Sequence, residues 1–472
     1  MPEPSPPSLI PRTGEGNSEF EGRPILGVVG ALIIGLTAAL HPLNLLLFPA
    51  VFLVWRNLSA RIAFAAALLL GVLMAPKPVA QIDDRTDFSD VVRVDSVPTP
   101  YMEALCFDAK IEGVSCWVRL PGQSRISFGD HIHVTGSMKP LGPDQRYMAL
   151  QGIGAIAQVD SYKVVQPAPL LFRAANGWRW SFIDFAFANL PPRMAGVAAA
   201  LCFNTDKLVD PDFNDDLKQT GTIHIVSVSG LHIVVLALAL LFGLSKLPIP
   251  RGVQLAIAAL VLSFYALATG LSPPTVRAVL MVGIAFAAYL LKREPDWLSS
   301  LACSALIYLL WQPRGIYDIG FQLSFLTVAA FCLYLRPERD VQESVIANGL
   351  AQVRQIAWAS LVASVASAPL VIYYFGQASV VSVLANLMIA PAVEAIIVCA
   401  FIAHGLWLLM PVVGAFALDI FVKGWIGYLY AVLDFLAAPS WSVLPFPEFN
   451  GYLLLPFYAG AVLMWRPYVR RA

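Results

Sequence analysis

The sequence predicts a polytopic α-helical membrane protein with one small all-β domain inserted, and three observations predict it. Of the 472 residues, 58% are hydrophobic and 13% charged, roughly half the charge content of a soluble domain. The apolar residues gather in many runs approaching the ~20 needed to cross a bilayer as a helix. Between the third run and the next, charged residues return and alternate with apolar ones at the two-residue period of a strand.

Residues 1–23 are rich in Pro, Ser, Gly and Glu and are expected to be disordered. Residues 24–76 should form the N-terminal transmembrane helices, from apolar runs near 25–40, 42–55 and 60–75. The first leads at once into the second through His41-Pro42, so it reads as a retained anchor, not a cleavable signal.

Residues 81–165 form the β domain. Its alternating segments are Val91-Val92-Arg93-Val94, Ser115–Leu120, His131–Val134 and Ile156–Val159, parted by turns such as Pro121-Gly122 and Phe128-Gly129-Asp130. Cys106 and Cys116 lie symmetrically about Ile111. A hairpin centred there would set them opposite each other, and an oxidising compartment would close a disulfide.

Residues 169–221 should hold interfacial and amphipathic helices. Phe172, Trp178, Trp180, Phe182, Phe185 and Phe187 stand among polar residues, as in a helix at a membrane surface. Asp210-Pro211 then reads as an N-cap followed by proline at the first helical position. Residues 222–467 make up the second membrane block. An amphipathic stretch at 340–356, with Val341, Val345, Leu350, Val353 and Ile356 at helical spacing, is expected to interrupt it.

With a cytoplasmic N-terminus and one crossing per run, Arg56, Arg61, Lys246, Arg251, Lys292, Arg293, Arg336, Arg339 and Arg354 fall on the cytoplasmic side, with Arg466, Arg470 and Arg471 of the tail. That is the positive-inside pattern, and it puts the β domain outside the cytoplasm. The net charge is zero, so no global basic field argues for nucleic acid. No phosphate-binding G-x-x-x-x-G-K-[ST] loop occurs, and none of the six cysteines forms a C-x-x-C pair; no cofactor and no metal site are expected.

The second block opens on Thr222-Ile223-His224-Ile225-Val226-Ser227-Val228-Ser229-Gly230-Leu231-His232. Polar side chains inside a bilayer are costly and face a partner helix or a wet cavity. On one continuous helix, His224, Ser227 and His232 share a broad face, with Ser229 beside His232. The bland reading is interhelical glue, the common use of Ser and Gly in membranes. Asp419 and Lys423 are spaced to pair with each other.

Several further stretches resemble the ComEC family of membrane channels for single-stranded DNA. They are Thr220–His224 running into Ser229–His232; Tyr265–Pro273 with Arg277-Ala278; Asp318–Phe325; and Tyr374-Phe375-Gly376 leading to Ala385-Asn386-Leu387. The β domain, ending in Arg146–Ile153, resembles the family's extracellular OB-like domain. The resemblance implies an inner-membrane channel passing single-stranded DNA into the cytoplasm during natural transformation. It also implies a periplasmic DNA receptor, a cytoplasmic ATPase motor and a separate nuclease as partners.

A DNA strand needs a wet path with hydrogen bonds that do not trap the polyanion. His224, Ser227, Ser229, His232, Gln322, Ser324 and Asn386 fit such a path, with Gly230 admitting a close neighbour. Arg277 is a candidate phosphate contact or a structural salt-bridge former, with Asp318 as partner.

The family's C-terminal metallo-β-lactamase-like domain has no counterpart here. His131-Ile132-His133 lacks the Asp-His continuation of a binuclear site, so no catalytic or metal-binding residues are assigned. The β domain carries eleven acidic against eight basic side chains, whereas a single-strand-binding groove is basic. DNA binding by that domain is therefore an implication of resemblance only. Two other functions stay open: a proton-coupled solute transporter using His224, His232 and Glu394, and an intramembrane serine protease using Ser229 with His404.

Overall fold

The computed structural model describes residues 24–38, 58–75, 82, 84–101, 104–122, 125–142, 145–226, 228–294, 296–334, 345–446, 453–454 and 457–458. The apolar run at 42–55, Ser227, and most of the run at 451–466 lie outside them. The chain divides into two compact units, 1–77 and 78–472.

In the first unit, α1 (Pro24–Ala38) and α2 (Leu58–Met74) pack together. They cross at two glycines. A β-carbon on Gly35 would collide with the Leu68 carbonyl, and one on Gly71 with that of Leu32. Small residues permit this close backbone approach in membrane helices.

The second unit begins with the predicted β domain. Its strands are β1 (Thr86–Arg93), β2 (Thr99–Tyr101), β3 (Ala104–Ile111), β4 (Val114–Pro121), β5 (His131–Pro140) and β6 (Ala155–Gln166). They form one sheet in the order β1-β5-β6-β4-β3-β2, antiparallel except for the β4–β6 pair. A short helix, α3 (Arg146–Gln151), precedes β6. Phe107, Ile111, Val118, Leu120, Ile132 and Val134 fill the interior.

The expected disulfide is not formed. Glu112 and Gly113, both at positive φ (49° and 85°), make the two-residue turn such residues favour, so the β3–β4 hairpin is centred beyond Ile111. Cys106 then opposes Arg119 and Cys116 opposes Ala109. An odd offset sends two side chains to opposite faces, and both thiols are free and buried. Burial pushes each up to about 11, leaving little thiolate to oxidise.

After the sheet come α4 (Leu170–Asn189), α5 (Pro192–Phe203) and α6 (Pro211–Gln219). Helix α4 does more than lie on a surface. Phe182 and Phe185 are fully buried, in an aromatic cluster with Phe203 and Phe401. Arg179, 1% exposed, reaches the Pro98 carbonyl at 2.8 Å, and Asn176 donates to the Ile126 carbonyl at 3.1 Å. So α4 is the wall between sheet and helices. Asp210 caps α6 by accepting from the Asp212 N–H at 3.0 Å, as its position before Pro211 predicts.

The remaining helices are α7 (Gly230–Leu244), α8 (Arg251–Ala268), α9 (Pro273–Leu290), α10 (Trp297–Trp311), α11 (Ile319–Tyr334), α12 (Val345–Phe375), α13 (Ser382–Leu409), α14 (Pro411–Ala417) and α15 (Lys423–Ala437). Among the described residues, five helical stretches are long and apolar enough to cross a membrane. This is a multi-pass membrane protein. The amphipathic stretch expected at 340–356 is helical from 345 onward and runs into one 31-residue helix, α12, whose part from Arg354 is long and apolar enough to cross a membrane. Pro391 lies inside α13 without splitting it. A π-helical turn, Leu418–Val422, joins α14 to α15, and Lys423 meets Asp419 there at 2.7 Å. Two short strands, Gln377–Ser379 and Val443–Pro445, pair antiparallel.

Candidate functional site

The central motif is not one helix. Helix α6 ends at Thr220, and Gly221 turns the chain at φ 70°. Gly221 is needed for space as well: a β-carbon there would sit 2.8 Å from that of Ser379. Thr220 and Thr222, both fully buried, share a hydroxyl–hydroxyl bond of 2.8 Å. His224 lies in a single 3-10 turn, Ile223–Ile225, with its side chain exposed. Helix α7 starts only at Gly230, so the shared helical face of His224, Ser227 and His232 does not exist. The polar and glycine residues between Thr222 and Gly230 that mark the site are also those that stop a helix forming.

Ser229 is the N-cap of α7, at φ −90° and ψ 169°. Its backbone N–H donates to His232 Nδ1 at 3.2 Å. Because Nδ1 accepts, the neutral ring carries its proton on Nε2. His232 is 2% exposed; it closes the start of α7 and does not line an open surface.

Gly230 faces Arg277. A β-carbon there would collide with the guanidinium Nη2, so the glycine admits a side chain from α9, where sequence reading expected a neighbouring helix. Arg277 is 6% exposed. Its Nε donates to Ser324 Oγ of α11 at 2.9 Å, Nη1 lies 3.7 Å from Met281 Sδ, and the group stands 5.9 Å from the Phe325 ring centre. Three separated motifs thus meet at Gly230, Arg277 and Ser324. No carboxylate lies within ion-pair distance of Arg277 among the described residues.

Asp318, the suggested partner of Arg277, is occupied elsewhere. Its carboxylate accepts the Phe321 N–H at 2.9 Å, capping α11, and Gln151 Nε2 at 3.1 Å. Gln322 donates to the Ile316 carbonyl and accepts from the Tyr374 hydroxyl, each at 2.9 Å. Half-buried Asn386 on α13 has no hydrogen-bond partner among the described residues. His404 Nε2 is 3.1 Å from Ser181 Oγ, so its hydroxyl partner is not Ser229.

Sequence reading missed three supports. Asn204, in the left-handed conformation at φ 56°, accepts the Val228 N–H at 3.3 Å. Gln151 and Tyr374 orient Asp318 and Gln322. Both stand inside the motif stretches, yet they act across 167 and 52 residues of chain.

A family model described as "Competence protein" matches residues 201–471, which contain Gly230, Arg277 and Ser324. The chain belongs to the ComEC family of competence proteins. It is 30% identical over 213 residues to ComE operon protein 3 of Bacillus subtilis (strain 168), a match covering 45% of this chain and 26% of that protein. It is 28% identical over 288 residues to Competence protein ComA of Neisseria gonorrhoeae, covering 57% of this chain and 39% of that one. This ComEC-family chain thus spans between about a quarter and two fifths of those relatives. No solved structure matches it. In this ComEC-family member, Gly230, Arg277 and Ser324 bring the "Ser-Gly-Leu-His", "Arg-Ala" and "Asp-Ile-Gly-Phe-Gln-Leu-Ser" stretches to one point.

Proposed function

We propose that this protein is a conduit carrying single-stranded DNA across the inner membrane into the cytoplasm during natural transformation. One observation carries the reading: a guanidinium buried where three apolar helices meet, with no carboxylate partner among the described residues. A buried cation without compensation is costly, and a passing phosphodiester would supply the missing charge. Arg277 is held by Ser324 at Nε and by the weak contact of Nη1 with Met281 Sδ, a neutral and partial satisfaction that suits a ligand that must leave again.

In this reading the β domain is OB-like and extracytoplasmic, and it delivers a strand received from a periplasmic DNA receptor. A cytoplasmic ATPase motor and a separate nuclease supply energy and strand removal, and the chain itself is not an enzyme. His224, with Asn386, extends the wet path. Replacing Arg277 by Gln should lower transformation at least about tenfold, the effect of losing one charge-assisted contact. DNA should still reach the compartment outside the inner membrane, and the variant should be present at wild-type abundance. Normal transformation by Arg277→Gln, or equal loss of protein and uptake, would refute the role.

A further inference from the structure

Where the sheet meets α4, a cavity of about 680 Å³ opens beside Trp407. Trp407 stands close to the end of α13, a 28-residue helix. At ~1.5 Å per residue that helix is longer than the ~30 Å hydrocarbon core, long enough to carry its end to headgroup depth. Leu170 at the rim is 80% exposed, and Leu409, two residues beyond Trp407, is 82% exposed, surfaces that acyl chains would cover.

The polar lining is balanced in charge. Arg125 pairs with Asp184 at 2.8 Å. Asp130 is satisfied by the Ser127 and Ala168 N–H groups, each at 2.6 Å. The exposed Arg173 side chain has no ion-pair or hydrogen-bond partner among the described residues. Two buried atoms of the lining are also unpartnered: the Trp180 indole N–H, a donor, and Asn176 Oδ1, an acceptor. Buried polar groups left unpaired call for an occupant.

We propose that this cavity binds the headgroup of a zwitterionic aminophospholipid. The phosphate lies on Arg173 and the Trp180 N–H, and the primary ammonium turns toward Asn176 Oδ1 and the Asp184 carboxylate. A choline headgroup has no N–H to give the acceptor. A glycerol headgroup brings a net negative charge that the balanced lining does not call for. The site is independent of the DNA path through Arg277, so either can fail without the other.

The full chain is reconstituted in nanodiscs of equal phosphatidylethanolamine, phosphatidylcholine and phosphatidylglycerol, released, and its retained lipids are counted by native mass spectrometry. One phosphatidylethanolamine should be retained about tenfold over either competitor, as expected for a charge-assisted contact with a matched donor. Arg173→Gln should abolish that preference. Trp180→Phe, which keeps an aromatic ring and removes only the donor, should weaken it. Lys292→Gln, exposed at the end of α9, should leave it unchanged. Retention of phosphatidylcholine or phosphatidylglycerol as strong as that of phosphatidylethanolamine would overturn the proposal. So would Arg173→Gln and Trp180→Phe variants that fold and keep the preference.

Discussion

Asp216, half-buried on α6, meets the carboxyl of Asp434 on α15, with Asp212 and Asp215 close by. Burial, then the Asp434 carboxyl, raises Asp216 from 3.8 to about 6. A carboxyl raised in the fold favours the folded state below its unfolded value, and that contribution is lost as pH rises through the folded one. The thermal midpoint of the purified protein should therefore decline between about pH 4 and pH 6.5. Asp216→Asn should flatten that slope, and an unchanged slope would remove Asp216 as its cause. Gly230 gives a second test. Its substitution by Ala should drive the Arg277 fork aside at a cost of about 1–3 kcal/mol, the range for overpacking. Transformation should then fall by more than protein abundance on an immunoblot; a purely structural glycine would lower both together.

At the scale of elements, the short helix α3 of the sheet domain is tied to the start of α11 through one carboxylate. Asp318 caps α11 and holds Gln151, while Gly152, at φ 103°, lies against the Arg314 side chain. Asp318→Ala should cost about 1 kcal/mol for the cap and free α3 as well. Hydrogen exchange should quicken at 146–151 and at 319–322 together; exchange rising only in the second stretch would show that the tie is idle. Composition and run length made the helices legible, and alternation exposed the strands, because burial against lipid or a core writes a period into the chain. The hairpin register was not legible, since it hangs on the left-handed Glu112-Gly113 turn. Nor was the break between the Ile223–Ile225 turn and Gly230, where an apolar run reads as helix although its hydroxyls oppose one. Arg277, Ser324 and Gly230 were each singled out in the sequence. Their meeting was not, because it depends on how α7, α9 and α11 pack.

For the whole molecule, sidedness is the property on which the proposed direction of transport rests. Lys110, exposed beside the hairpin turn, provides the test. A Lys110→Cys variant should react with a membrane-impermeant maleimide in intact spheroplasts, while buried Cys106 and Cys116 stay unlabelled. Reaction only after lysis would reverse the assigned orientation. Length is the other global property. The 31 residues of α12 extend about 46 Å, some 16 Å more than the hydrocarbon they need to cross. Pro369 interrupts the hydrogen-bond ladder near the C-terminal end of α12, where such helices bend. A rod with a joint near one end converts angle into distance: a 10° swing moves the far tip by several ångströms, about 1.7 Å for each 10 Å from the joint. A small bend at Pro369 is therefore a large displacement at Val345, with no ligand entering the site at all.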